Sequence, residues 1–267
     1  MTSVVAWIGA DSRGPSSAYI AADSRFSWRT RSTTDTWDKG RKTFASSQFA
    51  DIGGYWGDVL FPVMVLSQHF STMDAGGVRG EVSSSKARFA ALEKLMRISF
   101  SSWPEPQRQP FSVLYLSRDG SGMTSSFVLR VLSWNPGTGW ERQRTQSPKQ
   151  SSVVQLGGTG AGATRVQLQR WANSSEGGTS RAVYSAFVDG LRTAVDPYSG
   201  GAPQLVGLYR IGAGRSFGTV VGGRRYLYGV DADHLDAGRI EWRNELFERT
   251  SGVSRRRLPG AQRHRKI

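Results

Sequence analysis

The chain has 267 residues, 38% of them hydrophobic, which is enough to fill the core of one large domain or two small ones and excludes disorder throughout. It has no cysteine and only three histidines, His69, His234 and His264, none at metal-binding spacing; disulfide scaffolds, zinc fingers, thiol nucleophiles and His-rich metal sites are excluded, and no metal or cofactor is expected. The 35 Lys and Arg against 21 Asp and Glu give a formal charge of +14, but Arg255, Arg256, Arg257, Arg263, Arg265 and Lys266 carry six of those charges, which leaves the body mildly basic.

From the N-terminus, Ser3 to Gly9 and Ala18 to Ala22 are apolar, β-tolerant runs separated by Asp11-Ser12-Arg13-Gly14-Pro15, which predicts an opening hairpin. A polar stretch from Ser27 to Thr36 leads to Lys42-Thr43-Phe44-Ala45 and then to a glycine-rich bend, Asp51 to Asp58. Two helices are expected next. Asp58 to Met73 has a wide apolar face, and Ser84 to Phe100 starts on serine caps with Phe89, Leu92, Leu95, Met96 and Ile98 at helical spacing.

Phe111 to Leu116 and Ser126 to Trp134 flank Arg118-Asp119-Gly120-Ser121-Gly122, a second hairpin. After a polar loop from Asn135 to Gln150 come a strand at Val153 to Leu156, helices near Ala163 to Ala172 and Thr179 to Val195, and strands at Gln204 to Ile211, Phe217 to Val220 and Arg225 to Gly229. Helices paired between hairpins predict an α+β fold of two stacked antiparallel sheets with a helical layer outside each. One domain is expected to about residue 250. Residues 251–267, basic and poor in large apolar side chains, are expected to be a disordered tail, either a solvated end or a hook for polyanions.

The longest apolar stretch, Val59 to Leu66, falls well short of the ~20 residues of a membrane span, and the first residues lack a basic region followed by an apolar run. A soluble, cytoplasmic protein without a membrane or nucleic-acid partner is the expectation. Gly157 to Thr164 approaches a phosphate-binding loop, but Ala163 stands where the lysine must be, so a tight strand-to-helix turn is the better reading.

Thr2 follows Met1 directly. Removal of the methionine would place a hydroxyl and a free amine on one residue, and an α-amine with a pKa of ~7.7–8.0 is a suitable general base for a threonine nucleophile. The second strand of the opening hairpin ends Ala21-Ala22-Asp23-Ser24-Arg25, Lys42 starts an apolar strand farther on, and Asp196-Pro197-Tyr198-Ser199-Gly200-Gly201 lies near the end of the helical half. In these residues and their order the chain resembles a β-type subunit of the proteasome family, the threonine peptidases of the N-terminal-nucleophile hydrolases, over roughly residues 2–230. It looks most like a divergent bacterial homologue, of the kind that includes the β-proteobacterial homologues and the ancestral-type β-subunits.

The resemblance implies a four-layer αββα sandwich in residues 2–250, with Thr2 as nucleophile, Asp23 and Lys42 as its catalytic partners, and Asp196 and Ser199 holding the threonine in place. It further implies Gly54, four positions before Asp58, as the oxyanion-stabilising amide, and Thr159 in the position of an active-site serine. Lys39 is a rival for Lys42, and the apolar run after Lys42 favours the latter. Phe26, Ile52 and Trp56 fall where the substrate pocket is expected. The implied activity is endopeptidase cleavage of peptides or unfolded proteins inside a homo-oligomeric ring. The same residues leave open a catalytically silent ring or scaffold subunit and a transpeptidase, and nothing in the sequence points to an ATP-dependent unfoldase as partner.

Overall fold

A computed structural model describes residues 2–29, 33–77, 84–148, 150–193 and 196–263. In chain order the strands are β1 (Val4–Asp11), β2 (Gly14–Ala22), β3 (Phe26–Arg29), β4 (Thr34–Trp37), β5 (Thr43–Ala45) and β6 (Asp51–Gly57). Helices α1 (Phe61–Asp74) and α2 (Ser85–Ser101) follow, then β7 (Phe111–Asp119), β8 (Ser126–Asn135), β9 (Gly139–Gln146) and β10 (Ser152–Gly157). Helices α3 (Ala161–Ala172) and α4 (Ser180–Thr193) precede β11 (Gln204–Tyr209), β12 (Arg215–Val221), β13 (Arg224–Leu227), β14 (Val230–Asp231), β15 (Trp242–Asn244) and β16 (Arg249–Thr250). The fold is mixed α+β, as the pairing of helices between hairpins predicts.

One sheet runs β10-β1-β2-β11-β12-β13-β14, with β15 and β16 attached through β12; the other runs β5-β6-β7-β8-β9; β3 and β4 form a separate hairpin. Pairing is antiparallel except where β15 runs parallel to β12. Both faces of the central strands are buried, which is why β1 reads as an unbroken apolar run. Val4, Ala6, Ile8, Ile20, Val206 and Leu208 of the first sheet pack with Ile52, Leu114, Leu116, Leu129 and Val131 of the second. The alternate residues Val5, Trp7, Tyr19 and Leu205 pack with Tyr184 and Phe187 of α4, and on the far face of the second sheet Tyr55, Val113, Tyr115 and Leu132 pack with Leu66, Phe70, Leu92 and Met96 of α1 and α2.

Four local expectations are corrected. The bend at 51–58 is strand β6: its glycines sit in the ladder because a Cβ on Gly53 or Gly54 would come within 2.8 Å of Phe70 or 2.9 Å of Ile20, and the turn comes only at Gly57, with φ +98°. The polar stretch 27–36 lies largely in the β3–β4 hairpin, with residues 30–32 outside the described residues. The polar loop 135–150 contains β9, an edge strand whose exposed charged residues hide the alternation that marks a strand.

The fourth concerns the tail. Residues 251–263 are not free of the body: the Leu258 amide donates to the Arg249 carbonyl, Arg257 forms a β-bridge with Thr250, and Arg255 reaches the Gly223 carbonyl and Asp233. A carbonyl and a carboxylate of the body hold Arg255, which composition alone does not reveal. Residues 264–267, the end of the predicted tail, lie outside the described residues, as do Met1 and Val195. The preceding segment, to which the sequence assigned no element, adds β15 and β16. It inserts Trp242 against Gly218 and Gly252, and it places Phe247 between Trp7, Tyr19 and Tyr184 at ring distances of 6.0, 5.2 and 5.3 Å.

Candidate active site

The site forms where β1 and β2 begin and end beside the loops before α3 and β11. Asp23, just past β2, is fully buried, and four donors converge on its carboxylate. Oδ1 accepts the Ser3 amide at 3.0 Å and the Lys42 ammonium at 2.7 Å; Oδ2 accepts the amides of Gly200 at 3.0 Å and Arg25 at 3.3 Å. One carboxylate thus fastens the chain start, the lysine and the 196–201 loop together. Ser3 returns the bond, its carbonyl accepting the Asp23 amide at 3.0 Å.

Lys42 is also fully buried, and its ammonium donates a second bond to the Arg25 carbonyl at 2.5 Å. Burial pushes the Lys42 ammonium below its ordinary pKa, while the charge of Asp23 and its hydrogen bond pull the other way. Lys39, the rival, is exposed. The ring of Phe26 lies 5.8 Å from Lys42 Nζ, so this buried aromatic walls the lysine on one side.

Thr2 is wholly buried, and its carbonyl accepts the Gly160 amide at 3.2 Å. The loop before α3 must be glycine here. A Cβ on Gly158, whose φ is +88°, would stand 1.8 Å from the Thr2 carbonyl oxygen, and one on Gly160 would stand 1.8 Å from Ser3 Oγ and 2.6 Å from Ser199 Oγ. Close approach to Thr2, Ser3 and Ser199, rather than phosphate binding, accounts for the glycine-rich stretch. Asp196 does not reach across to the lysine; it holds its own loop, accepting from the Tyr198 amide and Ser199 Oγ at 3.0 Å each.

Gly54 lies inside β6, in register with Thr43 and Leu114, and its Cα faces Ile20 and the Lys42 carbonyl. Thr159 is exposed between the two glycines that touch Thr2 and Ser3. Trp56 is half-buried with its ring laid on Gly157, at the mouth of a groove of about 620 Å³ that Gly158 and Thr159 also line. Ile52 is the exception among the expected substrate residues. It is fully buried in the core between the sheets, four residues along β6 from Trp56, and does not line the groove.

Two positioning elements escaped the sequence reading. Gln204, buried at the start of β11, donates to the carbonyls of Asp23 at 3.1 Å and Gly40 at 2.7 Å and accepts the Lys42 amide at 3.0 Å. Its only sequence signal is a polar residue heading an apolar strand. Arg25 and Asp38 form a two-pronged ion pair at 2.7 and 2.8 Å, and Arg25 also reaches the Pro197 carbonyl at 3.2 Å. That hydrogen-bonded pair raises the guanidinium pKa and holds the carboxyl below its usual range.

No family model and no curated protein matches the sequence. Solved structures do match. The Anbu complex of Pseudomonas aeruginosa, described as a helical assembly, is 14% identical with a TM-score of 0.50 over 80% of this chain and 86% of that one. Anbu (ancestral beta-subunit) from Yersinia bercovieri is 10% identical with a TM-score of 0.50 over 77% and 81%. Thiobacillus denitrificans BPH in complex with epoxomicin is 13% identical with a TM-score of 0.48 over 78% and 99%. The two Anbu structures show that the chain has the proteasome-like fold. Among the described residues no helix is long and apolar enough to cross a membrane.

Proposed function

We propose that the chain is a threonine-type endopeptidase that acts through Thr2, exposed as the first residue by removal of Met1. The observation that carries this is the buried Lys42–Asp23 ion pair, tied by the same carboxylate to the residue after Thr2. A buried pair gains little stability over apolar packing, so its placement beside a residue able to carry both nucleophile and base is best explained by chemistry.

In this mechanism Thr2 Oγ1 attacks a peptide carbonyl while the α-amine takes its proton. The Lys42 cation lowers the amine's pKa and stabilises the hydroxyl as it ionises, Asp23 keeps the lysine oriented, and Asp196 and Ser199 position the threonine. The Gly54 amide stabilises the oxyanion, and Thr159 supplies a further hydroxyl at the rim. The amine released on cleavage departs with the proton, and water activated by the α-amine then hydrolyses the Thr2 ester. Transfer to a second amine instead of water would use the same residues, and product masses separate the two outcomes.

The proposal places this chemistry in residues 2–250, in a four-layer αββα sandwich; the three packing clusters between and outside the sheets support that layering. It also assigns peptide or unfolded-protein substrates, a cytoplasmic site of action and a homo-oligomeric ring; self-association is supported by the helical assembly described for a structural relative.

The test is an intact-mass spectrum before and after incubation with a peptide epoxyketone, which reacts with an N-terminal threonine through both amine and hydroxyl. Loss of Met1 and a single adduct, absent in Thr2→Ala and Lys42→Ala, is the expected result. Retained Met1, or a free Thr2 that never reacts, would assign the chain to the silent ring subunits instead.

A further inference from the structure

Trp56, Ser112, Ser133 and Glu141 are successive register partners across β6, β7, β8 and β9, so they stand in one row on one face of the sheet. It is the face that carries Leu114, Leu116, Leu129 and Val131 into the core between the sheets. At this end the opposite sheet stops covering it, and the row becomes the floor of the groove walled by Gly158 and Thr159. Ser112 and Ser133 join hydroxyls at 2.7 Å in the middle of the row. The groove therefore runs from Gly158, in contact with Thr2, to Glu141.

Glu141 is the only charged residue that lines the groove among the described residues, and it forms no ion pair there. Its neighbour Arg142 points to the other face and is bound to Glu93. Three interstrand steps of ~4.8 Å put Glu141 about 14 Å from Trp56, the length of about four extended residues at ~3.4 Å each.

From this geometry we infer that the groove binds an extended peptide segment, and that Glu141 selects substrates with a cationic group, a lysine or arginine side chain, about four residues from the scissile bond. The inference rests on the peptidase function proposed above. The row supplies an aromatic wall against Gly157, next to the glycine that packs on the Thr2 carbonyl, hydroxyls along the middle and a carboxylate at the far end, a sequence of contacts that a peptide with an acidic residue at that position would not satisfy.

The test is binding of labelled nonapeptides to the full-length Thr2→Ala protein, with one lysine walked along an alanine background on both sides of the cleavage position, read by fluorescence anisotropy. Lysine at one position near the fourth residue is expected to tighten binding about threefold to fivefold over alanine, the range for a solvent-exposed ion pair. Glu141→Gln should abolish that ratio and Glu141→Lys should invert it, while Asp236→Asn, a change to an exposed carboxylate outside the groove, should leave it intact. Equal binding of all lysine positions, or a ratio that survives Glu141→Gln, would overturn the inference. A lysine preference that depends on Glu141 in a protein that never hydrolyses peptides or reacts with the epoxyketone would uphold the groove and overturn the peptidase.

Discussion

Gln204 Oε1 accepts the backbone amide of Lys42 at 3.0 Å, across 162 residues of chain, while its amide nitrogen donates to the Asp23 carbonyl. One neutral side chain thus fixes the backbones of both members of the buried ion pair. Gln204→Leu leaves three buried backbone groups without a partner and should lower unfolding free energy by about 2–4 kcal/mol, with Gln204→Glu little better. Urea denaturation measures the loss, and a larger fall in the rate of epoxyketone capture than in binding of the peptide would mark a positioning role.

The ion pair itself calls for a double-mutant cycle. Lys42→Met strands a carboxylate at zero exposure and should cost about 3–5 kcal/mol, whereas Asp23→Asn combined with Lys42→Met should recover most of that loss. Asp23→Asn, Lys42→Met and their combination should all fail to form the Thr2 adduct. Recovery of stability without recovery of reactivity is the signature of a pair kept for chemistry.

Glycines of the loop before α3 and of its first turn should divide sharply. Gly158→Ala drives a methyl into the Thr2 carbonyl and demands a left-handed backbone, so it should abolish the adduct. Gly162→Ala meets nothing within 4 Å and lies within α3, so it should stabilise the fold by about 0.4–1 kcal/mol and leave capture of the epoxyketone unchanged. Thermal melts and intact mass on the two variants check both.

His69 supplies a pH dependence. On α1, almost fully buried beside Phe70 and Tyr115, it is held neutral by burial, its pKa pushed down to about 4. The unfolded chain, with a histidine near 6.5, binds the proton first, so the stability from neutral His69 is fully present above pH ~6.5 and is lost as pH falls toward 4, by about 2 kcal/mol at pH 5. His69→Leu should flatten that part of the stability profile measured between pH 7 and pH 5 by urea titration.

Much of this was legible in the chain itself. The hairpin β1–β2, helices α1 to α4 and strands β7, β8, β10 and β11 announce themselves because burial on one or both faces imposes period or continuous apolarity on their residues. Lys42, Asp23 and the 196–201 loop stand out in the sequence because their residues and order resemble those of the proteasome family. Strand β9, the β3–β4 hairpin and the C-terminal β15–β16 did not, since an edge strand or a covering hairpin carries polar residues like a loop.

By itself the sequence determined the residue types at the site, a threonine behind the initiator, an aspartate ending one strand and a lysine opening another, and the apolar runs and paired helices of the layered fold. Only the tertiary structure decided which of them meet. Burying Lys42 against Asp23, sending Ile52 into the core while Trp56 opens onto a groove, and enlisting Gln204 all depend on strand register and on which ends of the sheets lie uncovered. Those are set by contacts more than a hundred residues apart in the chain, such as Lys42 with Gln204, whose pairing no local propensity encodes.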